Sequence, residues 1–63
     1  MINGMKLQRL REAAGISQEQ LANEVGVSQS MIGHVESGLK VPSLEVMMRI
    51  AKRLDVTVDD LIK

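Results

Sequence analysis

The residues able to do chemistry are concentrated between Ser17 and Lys40. Gln29, Ser30, Gly33, His34 and Ser37 recur at three- and four-residue intervals, so a helix would place them on one face. That face carries short polar groups and no bulky apolar side chain, which suits directional hydrogen bonding to base edges in the DNA major groove. Gln29 and Ser30 would be the first helical residues, the end of a reading helix that usually enters the groove first. A glutamine there can pair with adenine N6 and N7. Gly33 is the oddest choice, because glycine inside a helix costs about 1 kcal/mol against alanine. It fits either close approach to a sugar-phosphate backbone or thymine methyl, or drift on an exposed face. Catalysis has little to work with: there is one histidine, no cysteine and no arrangement of Ser, His and acid, so the chain is not expected to be an enzyme. His34 stands alone as a metal ligand, and no metal, cofactor or small-molecule ligand is expected.

Positioning that face requires a partner helix. Leu21, Ala22 and Val25 form the buried stripe of a helix over 18–25, and Ile32 and Val35 form that of a second over 29–36. Gly26 lies where the chain must reverse, at a positive φ that glycine adopts cheaply. Ala22 is small enough to let the two helices cross closely. The same start signal recurs along the chain. Ser17 caps with Gln20 three residues on, a capping box, and Ile16 and Leu21 form its hydrophobic staple. Ser28, Ser43, Thr57 and Asn3 are further caps, with Asp60 completing a box at Thr57. Gly15, Gly26 and Gly38 stand at stops. The pattern predicts helices over 4–14, 18–25, 29–36, 44–54 and 58–62, with no strand, in one compact all-α domain covering 1–63. The predicted core is Leu7, Leu10, Ile16, Leu21, Ala22, Val25, Val27, Ile32, Val35, Leu44, Met47, Ile50, Ala51, Leu54, Val56 and Leu61, with the five methionines filling irregular gaps.

Composition narrows the setting. A chain of 63 residues buries a modest core and is marginal alone. The absence of cysteine points to the reducing cytoplasm, and no apolar run approaches the ~20 residues of a membrane span. Eight basic and eight acidic residues give zero net charge, whereas nucleic-acid binders are usually basic. Distribution matters more than the sum: from Ser28 to Lys40 the only acid is Glu36.

From Ser17 the chain reads Ser-Gln-x-x-Leu-Ala-x-x-x-Gly-Val-Ser-x-x-x-Ile-x-x-x-Glu-x-Gly, ending at Gly38. It is flanked by Leu7-x-x-Leu-Arg11, by Pro42-Ser-Leu with Ile50-Ala51, and by Thr57-Val-Asp-Asp-Leu61. This pattern, which covers nearly the whole chain, resembles the helix-turn-helix of the lambda-repressor-like (Cro, XRE) phage and bacterial regulators. The resemblance implies a five-helix DNA-binding domain, with 29–36 as the recognition helix, in a bacterial or phage-encoded regulator that is cytoplasmic and associated with the nucleoid.

The resemblance also assigns roles. Gln29, Ser30 and His34 would contact bases, joined by Gly33 where the DNA comes close. Gln18 would brace Gln29 while touching a phosphate, and Lys40 would contact the backbone in the loop after the recognition helix. Apart from the resemblance, Ser17, Ser28 and Ser37, which stand at helix ends, are candidates to donate to phosphates. Arg11 and Glu36 would form a partly buried ion pair between the first and third helices. The expected partner is a palindromic operator in double-stranded DNA. One short helix reads only a few base pairs, so a homodimer is expected. Val58 and Ile62, helped by Met48, are candidates for its interface. The neutral charge also fits an antitoxin or adaptor of the same fold with weak DNA binding.

Overall fold

A computed structural model describes residues 2–63. The helices are α1 (Gly4–Ala13), α2 (Gln18–Val25), α3 (Gln29–Glu36), α4 (Leu44–Leu54) and α5 (Val58–Ile62). There is no strand among the described residues. α1 ends one residue earlier than its pattern predicts, with Ala14 as its cap.

All five starts are capped by the expected side chain. Asn3, Ser17, Ser28, Ser43 and Thr57 each accept a hydrogen bond from the backbone N–H three residues on, at 3.0–3.2 Å. Each cap satisfies one of the donors that a helix leaves unpaired, worth about 1 kcal/mol. Only Thr57 completes a reciprocal box, through Asp60 Oδ2 at 3.0 Å from the Thr57 N–H. That N–H, together with the Thr57 side chain, holds the Asp60 carboxyl below its ordinary range. The box expected at Ser17 is half made. Gln20 turns its amide to Glu24 Oε2 at 3.3 Å, one turn further along α2, rather than back to the Ser17 N–H. The stop of α4 carries no glycine: Asp55 takes the left-handed conformation at φ 59°, which its short polar side chain tolerates better than most.

Leu7, Leu21, Val25, Ile32, Val35, Ile50 and Leu61 are fully buried, and Ile2, Ile16, Ala22, Met47 and Ala51 nearly so. Leu10, Val27, Leu54 and Val56 pack on the margin of this cluster rather than inside it. Leu44, expected in the core, is 64% exposed. It is the first residue of α4, where a side chain leans back toward the helix N-terminus and away from the packed layer. The methionines divide. Met47 is buried and Met31 partly so, whereas Met5 and Met48 face solvent. Met1 lies outside the described residues.

The start of α1 sits against the end of α3. A Cβ on Gly4 would lie 2.4 Å from the Glu36 carbonyl oxygen and 2.5 Å from that of Val35, both rigid backbone. Just before it, the Asn3 N–H donates to Leu61 O at 2.7 Å and its side-chain amide to Lys63 O at 3.2 Å, tying the first residues to α5. Gly4→Ala should therefore force α1 away from α3 and destabilise the fold by about 1–3 kcal/mol, the range of an overpacked core. Denaturant unfolding checks this, and unchanged stability would mean that the two helices separate freely.

Candidate nucleic-acid interface

The reversal between α2 and α3 is built on Gly26, at φ 79°, whose N–H donates to Ala22 O at 2.9 Å while Val27 N–H reaches the same carbonyl at 3.0 Å. Ala22, 1% exposed, presents only a methyl at the crossing. α3 turns Ile32, Val35 and Glu36 inward and leaves Gln29, Ser30 and Ser37 exposed, with Gly33 and His34 half-buried between them. The five residues fall within an arc of about 140° at 100° per residue, so they share one face. No intramolecular side-chain hydrogen bond engages Gln29 or Ser30 among the described residues, so both are free to meet a ligand.

Behind that face lies a buried charged clamp. Arg11 Nε donates to Glu36 Oε2 at 2.6 Å and its second amino group to Oε1 at 3.2 Å, a fork on both carboxylate oxygens. The remaining amino group donates to Ile16 O at 2.8 Å. The side chains are 10% and 4% exposed, and no buried side-chain nitrogen or oxygen is left without a partner among the described residues. The hydrogen bond to Glu36 raises the Arg11 pKa above its ordinary value, against the opposing effect of burial. Arg11 and Glu36 thus form an ion pair between α1 and α3.

Gln18 departs from expectation. Its amide donates to Glu36 Oε1 at 3.0 Å instead of bracing Gln29. The Glu36 carboxylate is buried and has acceptor capacity beyond what Arg11 fills, so it is the stronger attractor for a nearby amide. The clamp therefore spans α1, α2 and α3. Gln18 also accounts for the space around Gly33, since a Cβ there would stand 3.5 Å from Gln18 Oε1, an ordinary contact. The fold tolerates a methyl at this position without demanding its absence.

The flanking donors differ in readiness. Ser17 and Ser28 use their hydroxyl oxygens as cap acceptors, which leaves each proton available. Ser37 Oγ instead donates to His34 O at 3.1 Å, so its proton is already engaged. Lys40 is exposed, and its backbone N–H is held by His34 O at 3.2 Å, which fixes the loop to the end of α3. Of the expected dimer contacts, Met48 and Ile62 are exposed, whereas Val58 is half-buried against the core. No cluster of His, Asp or Glu able to hold a metal occurs among the described residues. None of the described helices is long and apolar enough to cross a membrane.

Comparison with known proteins agrees with this geometry. A helix-turn-helix family model matches residues 7–61. The transcriptional activator BcrR of Enterococcus faecalis is 42% identical over 57 residues, which cover 90% of this chain and 28% of that protein. The crystal structure of the restriction-modification controller protein C.AhdI from Aeromonas hydrophila superposes with a TM-score of 0.87 at 39% identity, covering 94% of this chain and 89% of that one. The P22 c2 repressor in complex with a synthetic operator superposes with a TM-score of 0.94 at 28% identity, covering 100% and 96%. The chain spans between 28% and 48% of the length of the first curated relatives it matches.

Two substitutions test the clamp and its neighbour. Arg11→Ala strands a buried carboxylate and should cost about 3–5 kcal/mol, enough to unfold much of a domain this small. Arg11→Met combined with Glu36→Leu should recover much of that loss. An unchanged melting temperature for Arg11→Ala would show that the pair contributes nothing. Gly33→Ala should raise stability by about 1 kcal/mol in denaturant unfolding. If DNA approaches closely at this position, the same variant loses affinity although its fold is firmer.

Proposed function

The chain belongs to the helix-turn-helix family, and from that premise we propose that it is a transcriptional regulator that binds double-stranded DNA. It reads the major groove with α3, as a homodimer on a palindromic operator, and acts as a repressor. The observation that carries this reading is the outer face of α3. Gln29 and Ser30 stand free at the N-terminal end of a helix whose inner face is locked by Arg11 and Gln18 through Glu36. A reading helix must hold its side chains in register with base edges, and a buried bidentate pair supplies that rigidity.

In this reading Gln29, Ser30 and His34 face bases, and Gly33 lets the DNA approach. Ser17, Ser28 and Lys40 contact phosphates on either side, with Gln18 behind them. Ser37, whose proton is spent on α3, contributes through position more than donation. The P22 c2 protein, named a repressor, supports the direction of regulation, and repression by occupancy asks only for tight binding. BcrR is named an activator, so direction follows promoter context as much as fold.

Selection from random duplexes should return a palindrome with half-site centres about one helical turn apart. An adaptor without sequence preference would return no consensus. Gln29→Ala should cost about 1–3 kcal/mol on the selected site and relax preference at one base pair. Lys40→Ala should weaken all sequences alike and reduce the salt slope by about one unit. Equal losses on selected and scrambled DNA for Gln29→Ala would remove that residue from the reading set.

A further inference from the structure

α3 carries no side chain at position 33, in the middle of its outer face, and a residue of α2 stands in the space left there. The three atoms nearest to where a Gly33 Cβ would lie all belong to the carboxamide of Gln18: Oε1 at 3.5 Å, Nε2 at 3.8 Å and Cδ at 3.9 Å. Gln18 and Gly33 are both half-buried, so this amide is held against the fold without being sealed inside it. Which way it faces follows from its partner. The Glu36 carboxylate, forked by Arg11, has only acceptors to offer, so the Gln18 nitrogen must turn to it, and does so at 3.0 Å. The oxygen is thereby fixed as the outer arm of the amide. Oε1 has no hydrogen-bond partner among the described residues, and no buried side-chain oxygen there lacks one, so Oε1 opens to solvent. A free carbonyl oxygen, anchored by a buried clamp, is presented beside Gly33 on the face that carries Gln29 and Ser30.

We infer that Gln18 is a base-reading residue, whose Oε1 accepts from the exocyclic amino group of an adenine or cytosine lying across Gly33 in the major groove. The inference rests on the proposed reading by α3, and adds to it a specificity-determining residue from a different helix. An acceptor discriminates in that groove. Adenine N6 and cytosine N4 are donors, whereas guanine and thymine present oxygens that would repel it. Nε2 keeps a second N–H, so adenine can also be met at N7, while cytosine takes the oxygen alone. A phosphate is a poorer match, because its oxygens would face the exposed Oε1. Gly33 is the other half of the device. A side chain there would stand between Oε1 and the bases, which gives a purpose to a residue that helices disfavour and that packing at this position does not demand. Because Glu36 holds the amide before DNA arrives, little side-chain freedom is lost on binding.

The test selects sites from random duplexes with wild type and with Gln18→Met, then titrates both on the wild-type consensus and on scrambled DNA. Methionine suits a helix and leaves the Arg11 fork on Glu36 in place, and circular dichroism confirms the fold. Wild type should prefer adenine or cytosine on one strand, at a base pair distinct from the one that Gln29→Ala relaxes; the base returned tells the two apart. Gln18→Met should relax preference at that pair alone, losing about five- to tenfold on the consensus and nothing on scrambled DNA. A second arm leaves the protein unaltered and deletes the amino group from the DNA. Purine in place of the adenine, or pyrimidin-2-one in place of the cytosine, should cost wild type about five- to tenfold beyond what it costs Gln18→Met. Gly33→Ala should blunt the same preference, and its loss should not add to that of Gln18→Met. Equal losses for Gln18→Met on consensus and scrambled DNA, with a smaller salt slope, would make Gln18 a phosphate contact and overturn the inference. An unaltered consensus would confine Gln18 to its bond with Glu36 and overturn it too. Wild type that returns no consensus would overturn the reading by α3 as a whole, which sets that failure apart from the other two.

Discussion

The Glu36 carboxylate is the point on which the arrangement of this domain turns. It is 4% exposed, and a buried carboxylate is tolerable only when its lone pairs are taken up. Arg11 from α1 takes both oxygens and Gln18 from α2 takes one of them again. Arg11 then reaches Ile16 O in the α1–α2 loop. Three helices and a loop are thereby referred to one group at the last turn of α3. Apolar burial of Ile32 and Val35 already selects the inward face of α3, but such contacts are not directional and leave small rotations cheap. A charged fork is directional, and it fixes rotation about the helix axis, the variable that decides which side chains face outward.

Much of this was legible because it is local. Each cap needs only its own side chain and the N–H three residues on, so Asn3, Ser17, Ser28, Ser43 and Thr57 were readable without any tertiary knowledge. The buried faces of α2 and α3 were readable from spacing. What escaped depends on which group competes for a partner in space. Gln20 and Gln18 each had a plausible local or family partner, and each found a carboxylate instead. Leu44 has the spacing of a core residue but stands at the edge of its helix, where there is no neighbouring layer to meet. Gly4 offered no signal in pattern, since its need for hydrogen in place of a methyl comes from the α3 carbonyls behind it. Asp55 stops α4 as a glycine would, a substitution that a search for glycines passes over.

On the proposed reading, neutral charge and a polar outer face on α3 belong together. A strongly basic domain would hold any duplex through counterion release, whatever its sequence. Here that contribution is modest, since four of the eight basic residues are paired with acids: Arg11, Arg49, Arg53 and Lys63. On the proposed reading, discrimination between sites then falls to the hydrogen-bonding side chains, and little affinity is spent on the wrong ones.

The separation of the clamp from the outer face of α3 has a consequence for descent with modification. Arg11, Gln18 and Glu36 hold the helix from behind, while Gln29 and Ser30 bear no weight in the fold. Substitutions at those two positions leave stability nearly untouched, so on the proposed reading a lineage can exchange one operator for another without passing through an unfolded ancestor. The inner residues are constrained by one another, whereas the outer ones answer to no contact within the fold.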